Sequence, residues 1–184
     1  MLRRAIHGSE NTCETILTGT MLEPESWVME CSMEIQMELS RIFIRELEDL
    51  QIIELTEVGG DRCFPIVVGI HEAFAIERRL KGVAVPRPQT HELLDSLMHS
   101  LGGTLQKILI HELSEGTFYA MLCIQQGDKD IQVDSRPSDA IALGVASGVP
   151  IMVTENVLQQ VEKEDLLPPG FGSLPDDGEE PEWS

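Results

Sequence analysis

Thr104-Leu-Gln-Lys-Ile-Leu-Ile-His-Glu-Leu113, Thr117-Phe-Tyr-Ala-Met-Leu-Cys-Ile-Gln125 and Asp130-Ile-Gln-Val-Asp134 are three runs rich in Ile, Leu, Val and aromatic residues. Ser114-Glu-Gly116 and Gln126-Gly-Asp128 part them. Short glycine turns between such runs read as antiparallel strands. Downstream, Pro137 suits the first turn of a helix that runs through Ala146 and stops at Gly148. Residues 150–153 form a short strand, and Thr154 caps a last helix through Val161. Upstream, residues 38–45, 50–58 and 63–68 read as a meander turned at Gly59-Gly60-Asp61. Residues 70–81 follow as a helix with Ala73, Ile76 and Leu80 on one face, closed at Gly82. Pro86-Arg87-Pro88 forces extended chain. Thr90 caps a second helix, which ends before Gly102-Gly103. The order βββ-αα-βββ-α-β-α predicts an α+β fold with a mixed, largely antiparallel sheet and three to four helices.

The chain has 184 residues, of which 42% are hydrophobic, enough for one packed core. No apolar run approaches the roughly 18–20 residues that span a bilayer. With 13 basic and 32 acidic side chains the net charge is −19, so bulk charge does not hold nucleic acid. Aromatics at 4% exclude rows of stacking rings. Residues 1–33 lack periodicity and read as an unstructured extension. Residues 166–184 hold five acids, no base, and several Pro and Gly, and read as a disordered tail. The folded domain is expected at 34–165. Cys13, Cys31, Cys63 and Cys123 have no CxxC spacing and suit free thiols in a reducing cytoplasm. Arg3-Arg4 has no apolar stretch behind it, so it does not read as a secretory leader.

Three segments carry chemistry. Asp134-Ser-Arg-Pro-Ser-Asp139 joins a strand to a helix, where free backbone N–H groups and helix dipole favour phosphate. Arg136 can grip phosphate in bidentate fashion, Ser138 can contact it, and Asp134 with Asp139 can hold Mg²⁺ or Mn²⁺. The same residues can instead cap the helix and pair with one another. Pro86-Arg-Pro-Gln-Thr-His91 presents Arg87 and His91 at a helix start, and histidine can act as a general base. It can equally be a polar surface residue. Gly69-Ile-His-Glu72 opens another helix with His71 and Glu72. Between these lie Arg78, Arg79, Lys81 and Arg87, a local excess of positive charge. They form a candidate phosphate track, or they balance nearby acids.

Together these segments resemble the bifunctional nuclease (BFN) domain family. The resemblance rests on Phe64-Pro-Ile-Val-Val-Gly-Ile-His-Glu-Ala-Phe-Ala-Ile76, Pro86-Arg-Pro-Gln-Thr-His-Glu-Leu-Leu94, Gly116-Thr-Phe-Tyr-Ala-Met-Leu122, Val133-Asp-Ser-Arg-Pro-Ser-Asp-Ala-Ile-Ala-Leu143 and Val149-Pro-Ile151. It covers about 34–165. Gln89 stands where the family usually has Leu, and Glu92 where it usually has Asp. Some members carry a C-terminal helical UVR motif, for which this chain has its acidic tail. The resemblance implies an α+β domain that cuts DNA and RNA. Cutting both polymers fits attack by water, because a mechanism through the 2′-OH would spare DNA. On that reading Asp134 and Asp139 hold the metal, and His91 positions or deprotonates water. Arg136 and Arg87 meet charge on phosphate, Glu72 is a catalytic candidate and reserve ligand, and Tyr119 is expected to hydrogen-bond the site from a neighbouring strand. The competing readings are a non-catalytic binding or regulatory module and a structural homodimer paired through an edge strand.

Overall fold

The computed structural model describes residues 33–45 and 49–163. The expectations for the extension before residue 33 and for the tail from 166 lie outside the described residues. Strands β1 (Glu34–Phe43), β2 (Leu50–Glu57) and β3 (Cys63–Gly69) precede helices α1 (Ile70–Leu80) and α2 (Thr90–Ser100). Strands β4 (Gly103–Ser114), β5 (Thr117–Gln126) and β6 (Lys129–Ser135) follow, then α3 (Pro137–Gly144), β7 (Ile151–Thr154) and α4 (Glu155–Val161). The order matches expectation, with one 3-10 turn at Val145–Ser147 added. The third helix therefore gives up its α geometry at Gly144, before the expected Ala146. A Cβ at Gly144 would lie 2.6 Å from Ile108 Cδ1, so a side chain there would displace the end of the buried Ile108 side chain. Gly148 closes the segment in the left-handed region, at φ 63°.

The sheet order is β3-β2-β1-β7-β4-β5-β6. All pairs are antiparallel except β4 with β7. β1 starts at Glu34, earlier than the expected residue 38, because residues 34–37 pair with β7. Strand alternation sends Ile108, Ile110, Ala120, Leu122, Ile151 and Val153 into one core cluster, which receives residues from all four helices. The helices thus cover one face. The other carries pairs such as Lys107–Glu34 (2.6 Å) and the hydrogen bond Thr56 to Ser40 (2.9 Å).

The sheet is strongly curled. Phe64 of edge strand β3 stacks on Phe118 of β5 with centroids 5.4 Å apart, across four intervening strands of the sheet order. α3 lies inside the curl, and Pro137, Ser138, Ala140, Ile141, Ala142, Leu143 and Gly144 are buried. That curl brings the end of β3, where α1 starts, beside the end of β6, where α3 starts. Among the described residues no helix is long and apolar enough to cross a membrane.

Candidate active site at three helix starts

Each of the three chemistry-bearing segments ends at the N-terminus of a helix, and packing of α1 and α2 on α3 gathers those ends. Arg136 precedes α3 with Pro137 at its first position, as expected. Its Nε donates to Asp139 Oδ2 at 2.7 Å, and its Nη2 to Glu72 Oε1 at 2.9 Å. His91 Nε2 lies 3.3 Å from Asp139 Oδ1. Glu72, Asp139, Arg136 and His91 thus form one chain of contacts from three segments. Burial pushes the Asp139 carboxyl up, and hydrogen bonds from Arg136 and His91 more than offset it, so it titrates below the usual aspartate range. Hydrogen bonds to Asp139 and Glu72 hold Arg136 charged. The Arg136 side chain is 64% exposed, so its ion pairs are individually weak.

The cluster borders a cleft of about 630 Å³, lined from α1 by His71, Glu72, Phe74 and Arg78 and from α2 by Thr90 and His91. Thr90 is not the cap of α2. Gln89 takes that place, and its N–H donates to Glu92 Oε2 at 3.0 Å. Arg78 donates to both Gln89 and Glu92, the latter at 2.8 Å. The two positions that depart from the usual family residues therefore act together, as the start of α2 and as the anchor of Arg78. Burial raises the Glu92 carboxyl, and hydrogen bonds from the backbone N–H groups of Glu92 and Gln89, together with the positive charges of Arg78 and Arg79, outweigh it, leaving its pKa lowered. Glu92 is thus a fastener of helices and not a free acid.

Other expected site residues lie elsewhere. Asp134 pairs with Met121 and Tyr119 with Glu112, on the face opposite Ala120 and Leu122. The two-residue period of a strand therefore points Asp134 and Tyr119 away from the helices and the cleft. Asp134 is not brought to Asp139, and among the described residues no three His, Cys, Asp or Glu side chains group as metal ligands. The donor set does not fit the expected Mg²⁺ or Mn²⁺ site on Asp134 and Asp139, and no step below runs through a metal. Ser138 is buried beside a second hollow with Phe118 and Pro65. Arg79 is buried too and donates to the Leu143 carbonyl at 3.1 Å. It holds α1 to α3 and does not face a phosphate. Lys81 pairs with Glu77 at 3.0 Å, and Arg87 is exposed on its proline loop. Phe74 and Gln89 do not stand out in the sequence as site residues. The signal for Phe74 is an aromatic ring out of phase with the inward stripe of buried Ala73 and Ile76 and partly buried Leu80.

The family model of the bifunctional nuclease domain matches residues 53–165. An uncharacterized protein of Mycobacterium tuberculosis is 43% identical over 119 residues, covering 65% of this chain and 71% of that one. Bifunctional nuclease 1 of Oryza sativa subsp. japonica is 25% identical over 109 residues, covering 58% of this chain and 33% of the rice protein. The Oryza minuta bifunctional nuclease matches to the same extent. This chain spans only a third of those rice proteins.

Proposed function

Because the chain belongs to the bifunctional nuclease domain family, we propose that its cleft hydrolyses phosphodiester bonds in both DNA and RNA. The observation that carries this reading is the His91–Asp139–Arg136–Glu72 constellation at the cleft mouth. A neutral His91 that donates its Nε2 proton to Asp139 keeps a lone pair on Nδ1, which suits it to take a proton from water. Asp139 is then a positioning residue that holds the imidazole and steadies its positive charge. The water oxygen attacks phosphorus, the bond to one ester oxygen breaks, and that oxygen leaves as a hydroxyl, taking a proton from solvent or from His91, which is thereby restored to its neutral form. Arg136 exchanges its carboxylates for the phosphate oxygens and meets the charge that builds there. No part of this chemistry uses a 2′-OH, so both polymers qualify. Cys63 and Cys123 are free thiols, which suits a reducing cytoplasm.

The test is digestion of labelled DNA and RNA by highly purified full-length chain, with Mg²⁺ or Mn²⁺ added and with EDTA, beside a His91→Ala control. Cleavage of both polymers that His91→Ala removes supports the proposal. Cleavage unaffected by His91→Ala places the chemistry elsewhere. Cleavage abolished by EDTA shows a divalent-ion requirement and reopens the ligand question around Asp139. Binding without cleavage supports the non-catalytic alternative, which is favoured by the way Glu72 and Asp139 already occupy Arg136.

The remaining exposed cations give a separate expectation. If Lys81 and Arg87 follow the phosphate backbone, the Lys81→Ala/Arg87→Ala double variant binds nucleic acid more weakly without sequence preference. Its log affinity then falls less steeply with log salt, by about 0.7–0.9 for each phosphate that is no longer neutralised. An unchanged slope in a salt titration removes both residues from the track.

A further inference from the structure

α1 lines the cleft with His71, Phe74, Ala75 and Arg78, and with the carboxylates Glu72 and Glu77 beside them, the latter paired with Lys81. The first four recur every three or four residues, so they share a face. The stripe spans about 10 Å of helix axis, at about 1.5 Å per residue. Ala73 and Ile76, fully buried on the opposite face, already supply the packing that ties α1 to the core. Phe74 takes no part in that packing and is 46% exposed. Along the helix Phe74 falls between His71 and Arg78, and the apolar Val83 lines the same cleft. Among the described residues Tyr119 is the other strongly exposed aromatic, and it lies on the far face of the sheet.

An aromatic face in a cleft bordered by the exposed Arg136 guanidinium has the chemistry to hold a nucleobase and its backbone together, while Arg78 stays engaged with Gln89 and Glu92. The cleft volume falls within the usual range for sites that enclose a small molecule or one unit of a polymer. Bases in a duplex have both faces covered by neighbours, whereas bases of a single strand are free to leave the stack. We propose that Phe74 is a base-stacking platform that makes this cleft specific for single-stranded nucleic acid. The inference rests on the nuclease reading for the identity of the polymer. Sequence preference is weak, because every base offers a π face.

The test uses the full chain, a phosphorothioate oligonucleotide that resists cleavage, its duplex with the complementary strand, and a single strand carrying 2-aminopurine. Phe74→Ala is expected to weaken single-strand binding about 10-fold or more, in line with loss of one stacked base. Duplex binding changes less than about twofold. Phe74→Trp retains binding, since it restores the π face. The 2-aminopurine emission is quenched by the wild type and by Phe74→Trp, and not by Phe74→Ala. Equal losses on both forms, quenching that survives in Phe74→Ala, or failure of the wild type to bind single strands would each overturn the proposal. The two readings separate cleanly. Phe74-dependent binding without cleavage overturns the nuclease reading and keeps the platform, while cleavage and binding indifferent to Phe74 do the reverse.

Discussion

Asp139→Asn is expected to lower cleavage of DNA and RNA together by at least about 100-fold, the usual contribution of a positioned acid–base pair. Asparagine keeps the shape of the side chain and removes the charge that His91 and Arg136 both share. A His91 that has taken a proton then loses its counter-ion, and Arg136 loses one of its two anchors. The effect on folding is small, because the Asp139 side chain is 36% exposed and its pairs are screened by water. About 1 kcal/mol or less is expected at neutral pH, a few degrees of melting temperature. The pH dependence has a definite sign. The folded carboxyl titrates below its ordinary value, so its contribution to stability is complete above the unfolded range near pH 4. That contribution fades as pH falls through the lowered folded value. The stability gap between wild type and Asp139→Asn should therefore be widest near pH 6 and close towards pH 3 in urea unfolding. A variant that melts early yet keeps its specific activity would show that the segment is scaffold.

The local pattern carried the elements, and the long-range contacts carried the site. Ile53 and Leu55 alternate with Glu54 and Thr56 closely enough to show β2 in one short window. The start of β1 is different, because Glu34 to Met37 becomes a strand by pairing with β7, whose residues lie far along the chain. No window contains both partners. The insertion of β7 between β1 and β4 is hidden for the same reason. Within the site, each of the three segments stands out by its residue types. The 2.9 Å hydrogen bond between Arg136 and Glu72 spans 64 positions and depends on the curl of the whole sheet. Asp134 and Tyr119 are misplaced by something simpler. Along an edge strand such as β6, exposed Gln132, Val133 and Asp134 give no clue to which face is inward. Only their partners on β5 assign it. Phe74 is legible in principle. Its neighbours Ala73 and Ile76 define the buried stripe, and the Phe74 ring stands out of phase with them.

Arg79→Ala is expected to destabilise the fold by about 3 kcal/mol, the largest stability effect among the cations of α1. The residue sits in a run that looks uniformly solvent-facing, Glu77-Arg-Arg-Leu-Lys81. Helical spacing places it one turn after Ile76, on the border of the stripe that meets α3. Its side chain is 6% exposed, with Nη2 on the Leu143 carbonyl and Nη1 3.5 Å from Glu92 Oε1. Truncation to alanine strands a buried carbonyl, removes one of two cations from Glu92 and deletes the packing of the long stem. Neighbouring Lys81 pairs in water with Glu77, and its removal costs at most a few tenths of a kcal/mol by the same reasoning. Arg79→Met separates the contributions, since it keeps the stem and loses only the polar head. It should recover roughly half of the loss in thermal or urea unfolding. Both variants should leave the salt dependence of nucleic-acid binding unchanged once measured below their melting temperatures. An Arg79→Ala protein as stable as wild type, with a salt slope shallower by about 0.7–0.9, would instead return Arg79 to the phosphate track and show that α1 can turn it outward.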